Sequence, residues 1–138
     1  MSVLGTIIGK KPNFDNYDEV LRVLQKFMIK SKCMSPVQIY TPQQLTVISM
    51  YTFGALAYLT EAMGAHQEEN ILVLDAYLQR IGFTDMRAKE ESMTIIKQAE
   101  EPSMQWNIEI GYNSARYWHK DNDPSATKSL ARLLKTLR

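Results

Sequence analysis

Residues 41–60, TPQQLTVISMYTFGALAYLT, run for twenty positions without a charged side chain, and the rest of the chain has to be arranged around them. Thr41 is placed to cap a helix, Pro42 suits the first helical position, and Gln44 can reach back to close a capping box. Tyr40 and Leu45 stand at the hydrophobic-staple positions on either side of that start. Beyond it, apolar side chains fall on nearly every side of the helical projection, which predicts a core helix rather than a surface one. Gln43, Gln44, Thr46, Ser49, Thr52 and two tyrosines make the run too polar for a membrane span despite its length. Gly54, Ala55 and Ala57 leave a low-relief strip on which a second helix can approach closely. Glycine in a helix interior costs about 1 kcal/mol relative to alanine, and close packing is the expected compensation.

The chain of 138 residues is long enough for one domain with its own core, and 45% apolar with 22% charged residues is ordinary for a globular protein. One cysteine, Cys33, excludes an internal disulfide and suits a reducing, cytoplasmic setting. It has no histidine nearby and reads as a passive thiol. Net charge is +1, but unevenly spread: +3 over residues 1–40, −3 over 41–83, −3 over 84–109 and +4 over 110–138. An acidic middle between basic ends permits complementarity within the chain or between two copies, and equally a basic patch for an anionic partner.

In chain order, residues 1–12 read as a short extended arm. A first helix is expected from about residue 13 to 31, with Tyr17, Val20, Leu21, Leu24, Phe27 and Met28 inward and Arg22, Lys26 and Lys30 outward. The core helix should end at Gly64. A third helix follows over 67–81, its stripe Ile71, Leu74, Leu78 and Ile81 widened by Leu72, Val73 and Tyr77, with Gly82 just beyond. A fourth, capped by Thr84 or Asp85, covers 86–100 and turns Met86, Met93 and Ile96 inward, with Ile95 a further candidate. Residues 103–120 are ambiguous: Trp106, Ile108, Ile110 and Tyr112 alternate as in a strand, yet residues 114–120 suit a helix, and helix is favoured. The last helix is capped by Asp123 with Pro124 next, and its stripe is Leu130, Leu133, Leu134 and Leu137.

Residues 55–82, ALAYLTEAMGAHQEENILVLDAYLQRIG, combine a small-residue helix, a tight turn, an acidic helix start and a terminal glycine. In these features the stretch resembles the helical hairpins of the tellurite-resistance family, with Gly64-Ala65 where that family has Asp-Gly. The resemblance implies a helical hairpin and carries no site residues across.

Arg116-Tyr117-Trp118-His119-Lys120, with Trp106 and Tyr112 upstream, is the most suggestive cluster. Tyr, Trp and Arg dominate binding hot spots, and aromatics interleaved with basic groups can also stack bases and meet phosphates. The competing reading makes Tyr117 and Trp118 core residues with polar tips at the edge. HKDND at 119–123 invites a metal, but a calcium loop begun at Asp121 would need glycine and glutamate where Ala126 and Arg132 stand. Asp123 is better explained as a helix cap, so no metal is expected. His66 beside Glu68 and Glu69 is explained by the preference for acids in a first helical turn.

These features predict an all-α fold, a single bundle of five to six helices over 1–138. The helix at 41–60 would be covered by the first, third and last helices or by a second subunit. The alternative is α+β, with a small sheet from 2–8 and 106–112. No catalytic constellation, phosphate loop, cofactor motif or membrane segment is legible. The expected function is a non-catalytic protein-interaction module (an inhibitor, adaptor or immunity-type binder) acting through Arg116, Tyr117, Trp118, His119, Lys120, Trp106 and Tyr112, with a homodimer among the candidate assemblies. The alternative is a nucleic-acid-associated factor using the basic terminal helices. The weakest candidate is a small-ligand or catalytic pocket gathered from His66, Asp75, Tyr112 and His119.

Overall fold

The computed structural model describes residues 15–34 and 40–137. The arm at 1–12, the strand alternative at 2–8 and Arg138 lie outside the described residues. Among the described residues six α-helices follow one another: α1 Tyr17–Cys33, α2 Pro42–Ala62, α3 Asn70–Arg80, α4 Asp85–Ala99, α5 Gln105–Lys120 and α6 Ser129–Lys135. Short 3-10 turns at Gln67–Glu69, Pro102–Met104 and Pro124–Lys128 lead into α3, α5 and α6. No strand occurs among the described residues, and the fold is an all-α bundle with α2 at its centre.

The start of α2 is fixed locally. The Gln44 N–H donates to Thr41 Oγ1 at 3.1 Å, and the Thr41 N–H donates to Gln44 Oε1 at 2.9 Å, so both halves of the capping box are present. Leu45, the expected staple partner of Tyr40, is 51% exposed instead. At the other end Gly64 takes φ +89°, and the Ala65 and Gly64 N–H groups donate to the Thr60 and Glu61 carbonyls. That Schellman arrangement turns the chain straight into the next helix. Gly82, at φ +116°, closes α3 in the same way, with Phe83 and Gly82 donating to Leu78 and Gln79.

Along α2, Val47, Ile48, Met50, Tyr51, Ala55, Leu56, Tyr58 and Leu59 are all buried, as the all-round apolar pattern requires. Its most extensive partner is α5, with α1, α3, α4 and α6 completing the cover. The contact with α5 explains two glycines. A Cβ on Gly54 would stand 2.9 Å from the Ile108 carbonyl carbon and nearer still to its oxygen, and one on Gly111 would meet the Tyr51 carbonyl at 2.8 Å from its carbon. Each helix therefore rests on the other's bare backbone. The low-relief strip at Gly54 has the close neighbour it called for, and the neighbour is the ambiguous segment 105–120.

That segment is helical from Gln105, so the alternating pattern at 106–112 does not make a strand. Ile108, Ile110 and Tyr112 are half buried against the core while Trp106 points out. Two further expectations are corrected. On α4 Ile95 is buried and Ile96 packs against the core as expected, but the buried face is completed by the small Ala88 and Ser92, and Met86 is 69% exposed. On α3 Leu72, Val73, Leu74, Tyr77 and Leu78 are buried as expected, but Ile81 is 40% exposed beside the terminal glycine.

Candidate functional site

The aromatic and basic residues singled out in the sequence all lie on α5, and its helical rotation sorts them into different surroundings. Trp106 is 66% exposed and Tyr117 45% exposed. Their eleven-residue separation is three helical turns, so they share one face about 16 Å apart, with half-buried Ile110 between them. The Arg116 guanidinium lies 5.0 Å from the centre of the Tyr117 ring, and Lys120 is exposed one turn further on. The Arg116 Nε is buried without a hydrogen-bond partner.

Trp118 is turned the other way. Its ring is 5.2 Å from Phe27 of α1, tilted by 47°, and the Lys30 ammonium lies over the ring, 5.9 Å from its centre. Phe27 in turn stacks on Tyr51 at 5.9 Å. The tryptophan thus joins α1, α2 and α5, and its indole is part of the packing that holds the outward face in place.

Tyr112 and His119 occupy a third side, toward the end of α2. The Tyr112 ring meets Tyr58 edge-on at 5.5 Å, and His119 approaches the same Tyr58 at 6.1 Å. The Tyr112 hydroxyl donates to Glu61 Oε2 at 2.9 Å, and this bond to a carboxylate, reinforced by burial, raises the phenol above its ordinary range. Burial and the nearby Asp121 carboxylate raise Tyr58, with Arg116 acting in the opposite sense.

Beside Tyr112 the α2–α3 turn encloses a cleft of about 550 Å³. Ala57 and Ala65 give it apolar walls, and Thr60, Glu61, His66 and Asn70 bring polar groups to it. Asn70 is 6% exposed, Thr60 is 1% exposed, and the Thr60 hydroxyl donates to the Asn70 side-chain oxygen. Of the four residues suggested for a scattered pocket, His66 and Tyr112 meet here. Asp75 is buried elsewhere on α3: its Oδ2 accepts from Gln79 at 3.0 Å, its Oδ1 has no partner, and burial raises its carboxyl. His119 does not line the cleft. Sequence reasoning missed Thr60, Glu61 and Asn70. The available signal was Asn70 itself, an amide opening the otherwise apolar run NILVL.

A separate group of hydroxyls sits where α1, α2, α5 and α6 converge. Ser129 Oγ is 2.7 Å from the Tyr51 hydroxyl and 2.6 Å from Ser114 Oγ. Ser31, fully buried, approaches Tyr51 without completing a hydrogen bond. Burial raises the Tyr51 phenol, and these hydroxyls oppose that shift. Nothing in the group supplies a base, so it reads as a polar seam within the core rather than as a nucleophile site.

Among the described residues no three His, Cys, Asp or Glu side chains gather closely enough to hold a metal ion, and no helix is long and apolar enough to cross a membrane. Asp123 acts as the cap its position suggested, accepting from the Ser125 N–H at 3.0 Å and the Ser125 hydroxyl at 2.7 Å, which holds its carboxyl below the ordinary value. No family model matches the chain, and no curated protein or solved structure matches it either.

Proposed function

We propose that the protein is a non-catalytic interaction module that binds a protein partner through the outward face of α5. The observation carrying this reading is the exposure of Trp106 and Tyr117 on one helical face, three turns apart, with Ile110 between them. Large aromatic surface left in water is unfavourable at about 25 cal/mol per Å², and aromatics with arginine are the groups that anchor protein interfaces. Arg116 and Lys120 make one end of the stripe basic, so a partner of matching chemistry offers an apolar groove or helix bordered by carboxylates at that end.

The nucleic-acid alternative draws less support from the placement of Trp118. Base stacking needs a free ring, and here the indole is already engaged by the Phe27 ring and the Lys30 ammonium. Affinity capture separates the two readings. Wild type, a Trp106→Ala/Tyr117→Ala double variant and a Met86→Ala control on α4 are compared for co-purifying protein and for retention on DNA and RNA. A protein retained by wild type and the control but lost from the double variant supports the proposal. Equal recovery of every partner by all three removes this face from consideration. Nucleic-acid retention that falls steeply with salt would favour the alternative.

A further inference from the structure

Trp106, Ile110, Asn113 and Tyr117 run along the outward face of α5, and the charges beside them are ordered by sign. The acid Glu109 lies in the Trp106 half, with Glu100 and Glu101 just before the helix, while the cations Arg116 and Lys120 lie in the Tyr117 half. At about 100° per residue, Glu109, Arg116 and Lys120 all fall on one flank of the line from Trp106 to Tyr117. Asp121, at the helix end, falls on the other flank, and the Asp123 carboxylate is occupied by Ser125. Glu109 is exposed and makes no ion pair among the described residues. Neither does Arg116, whose Nε is buried without a hydrogen-bond partner. One flank therefore carries a negative and a positive charge, two turns apart, that the fold leaves unanswered.

That order of charge discriminates between ways of covering the face. A second copy laid parallel would set Glu109 near Glu109 and Arg116 near Arg116, which is repulsive. In an antiparallel pair about a twofold axis the same flanks meet and the two ends exchange, so acid faces base. With Trp106 opposite Tyr117 of the second copy, the axis passes at the level of Gly111 and Tyr112. Glu109 then lies about 4 Å along the helix from the axis, and Arg116 of the second copy about 7 Å to the same side. The remaining offset of about 3 Å is within an arginine's reach, and symmetry makes the ion pair twice. The face of α5 is 16 residues long, about 24 Å by about 10 Å, so one helix pair buries well under the roughly 1,000 Å² of a permanent interface. A weak association, micromolar or weaker, is expected.

We propose that the outward face of α5 meets a second copy of this chain, antiparallel about a twofold axis, with Trp106 on Tyr117 and Glu109 paired with Arg116 in both directions. This rests on the reading of that face as an interaction surface and names what it meets. Sedimentation equilibrium over about 10 µM to about 1 mM measures it. Wild type should rise toward twice the monomer mass with concentration, and ¹⁵N amide shifts over the same range should move along the exposed side of α5. Glu109→Arg and Arg116→Glu should each associate about tenfold or more weakly, because each sets like charges together. Mixed in equal amounts, the two variants should recover association near the wild-type level, since each then meets its opposite, a recovery that mere damage to the fold does not produce. Circular dichroism checks the fold of each variant, and if Arg116→Glu does not fold, wild type and Glu109→Arg decide the matter by mass and amide shifts. Wild type that stays monomeric to about 1 mM overturns the proposal, while the broader reading still stands on any other protein captured through this face. A dimer undiminished in Trp106→Ala/Tyr117→Ala or in Glu109→Arg overturns it too, as does a mixture no tighter than its two components.

Discussion

Replacing Gly111 by alanine sets two well-known effects against each other at one position. By helix propensity alone, alanine stabilises an interior helical site by about 1 kcal/mol relative to glycine. The structure predicts the reverse. The added Cβ would lie 2.8 Å from the Tyr51 carbonyl carbon and 2.9 Å from its Cα, both backbone atoms that cannot swing away. The Tyr51 carbonyl oxygen would lie nearer still, so restoring ordinary contact distances requires α2 and α5 to part by about 1 Å or more, and a gap of that order forfeits about half of the dispersion attraction between surfaces. The Tyr58–Tyr112 and Phe27–Trp118 ring contacts flank the crossing and would loosen with it. Overpacking of this kind costs about 3 kcal/mol at the upper end of its usual range, and subtracting the propensity gain leaves a net loss of about 2 kcal/mol. At about 2.1 cal/mol/K per residue, a chain of 138 residues should show a fall in Tm of about 7 °C. Thermal unfolding followed by circular dichroism measures it, with Asn113→Ala on the outward face of α5 as the control. Gly54→Ala probes the same crossing from the other side, so the double variant should lose less than the two single losses added together, because the first separation makes room for the second. A Gly111→Ala protein as stable as wild type, or more stable, would refute the reasoning, since it would show that the contact opens at no expense.

Thr41→Ala removes one half of the capping box and should lower stability by about 1 kcal/mol in urea unfolding. Tyr77 is 4% exposed and burial pushes its phenol up to about 12. The folded form therefore holds its proton while the unfolded chain releases it near pH 10, and stability should fall as pH rises from about 10 to about 12, by about 3 kcal/mol over the window. In Tyr77→Phe that portion of the decline should be absent, which urea midpoints at pH 9 and 11.5 would show. Asp75 has a raised carboxyl, so its favourable contribution is complete below the ordinary aspartate value and is lost as pH rises through the folded-state value. Asp75→Asn keeps an acceptor for Gln79 and should raise the urea midpoint at pH 7, with the gain vanishing toward pH 3.

The parts of the fold that could be read from the chain are those whose cause lies within a few residues. Thr41, Pro42 and Gln44 define the start of α2 among themselves, and Gly64 and Gly82 mark helix ends because each must adopt positive φ there. Gly111 is different. Its reason is the Tyr51 carbonyl, sixty positions away, and without it the alternation of Trp106, Ile108, Ile110 and Tyr112 resembles a strand. Met86 and Ala88 show a related failure. Hydrophobicity ranks methionine as the inward residue, but the close approach of α4 admits only the smaller side chain. The two tryptophans carry identical intrinsic signals, and only the rotation of α5 sends Trp118 onto Phe27 and Trp106 into water. The cleft was the least legible feature, since Glu61 and Tyr112 are fifty-one positions apart and Asn70 becomes informative only once Thr60 is seen beside it.

The bare crossing of α2 and α5 has a mechanical consequence. Gly111 lies five residues from Trp106 and six from Tyr117, so α5 is supported near the middle of its exposed stripe, with lever arms of about 8–9 Å on either side. At the support the two backbones meet directly at Gly54 and Gly111, so side-chain interlocking contributes little there to the tilt of α5 over α2. The tilt is set by the stays at its flanks, Trp118 against Phe27 and Tyr112 against Tyr58. A load placed on the Trp106 end would be felt with opposite sign at the Tyr117 end, while Tyr112, next to the fulcrum, would stay nearly still.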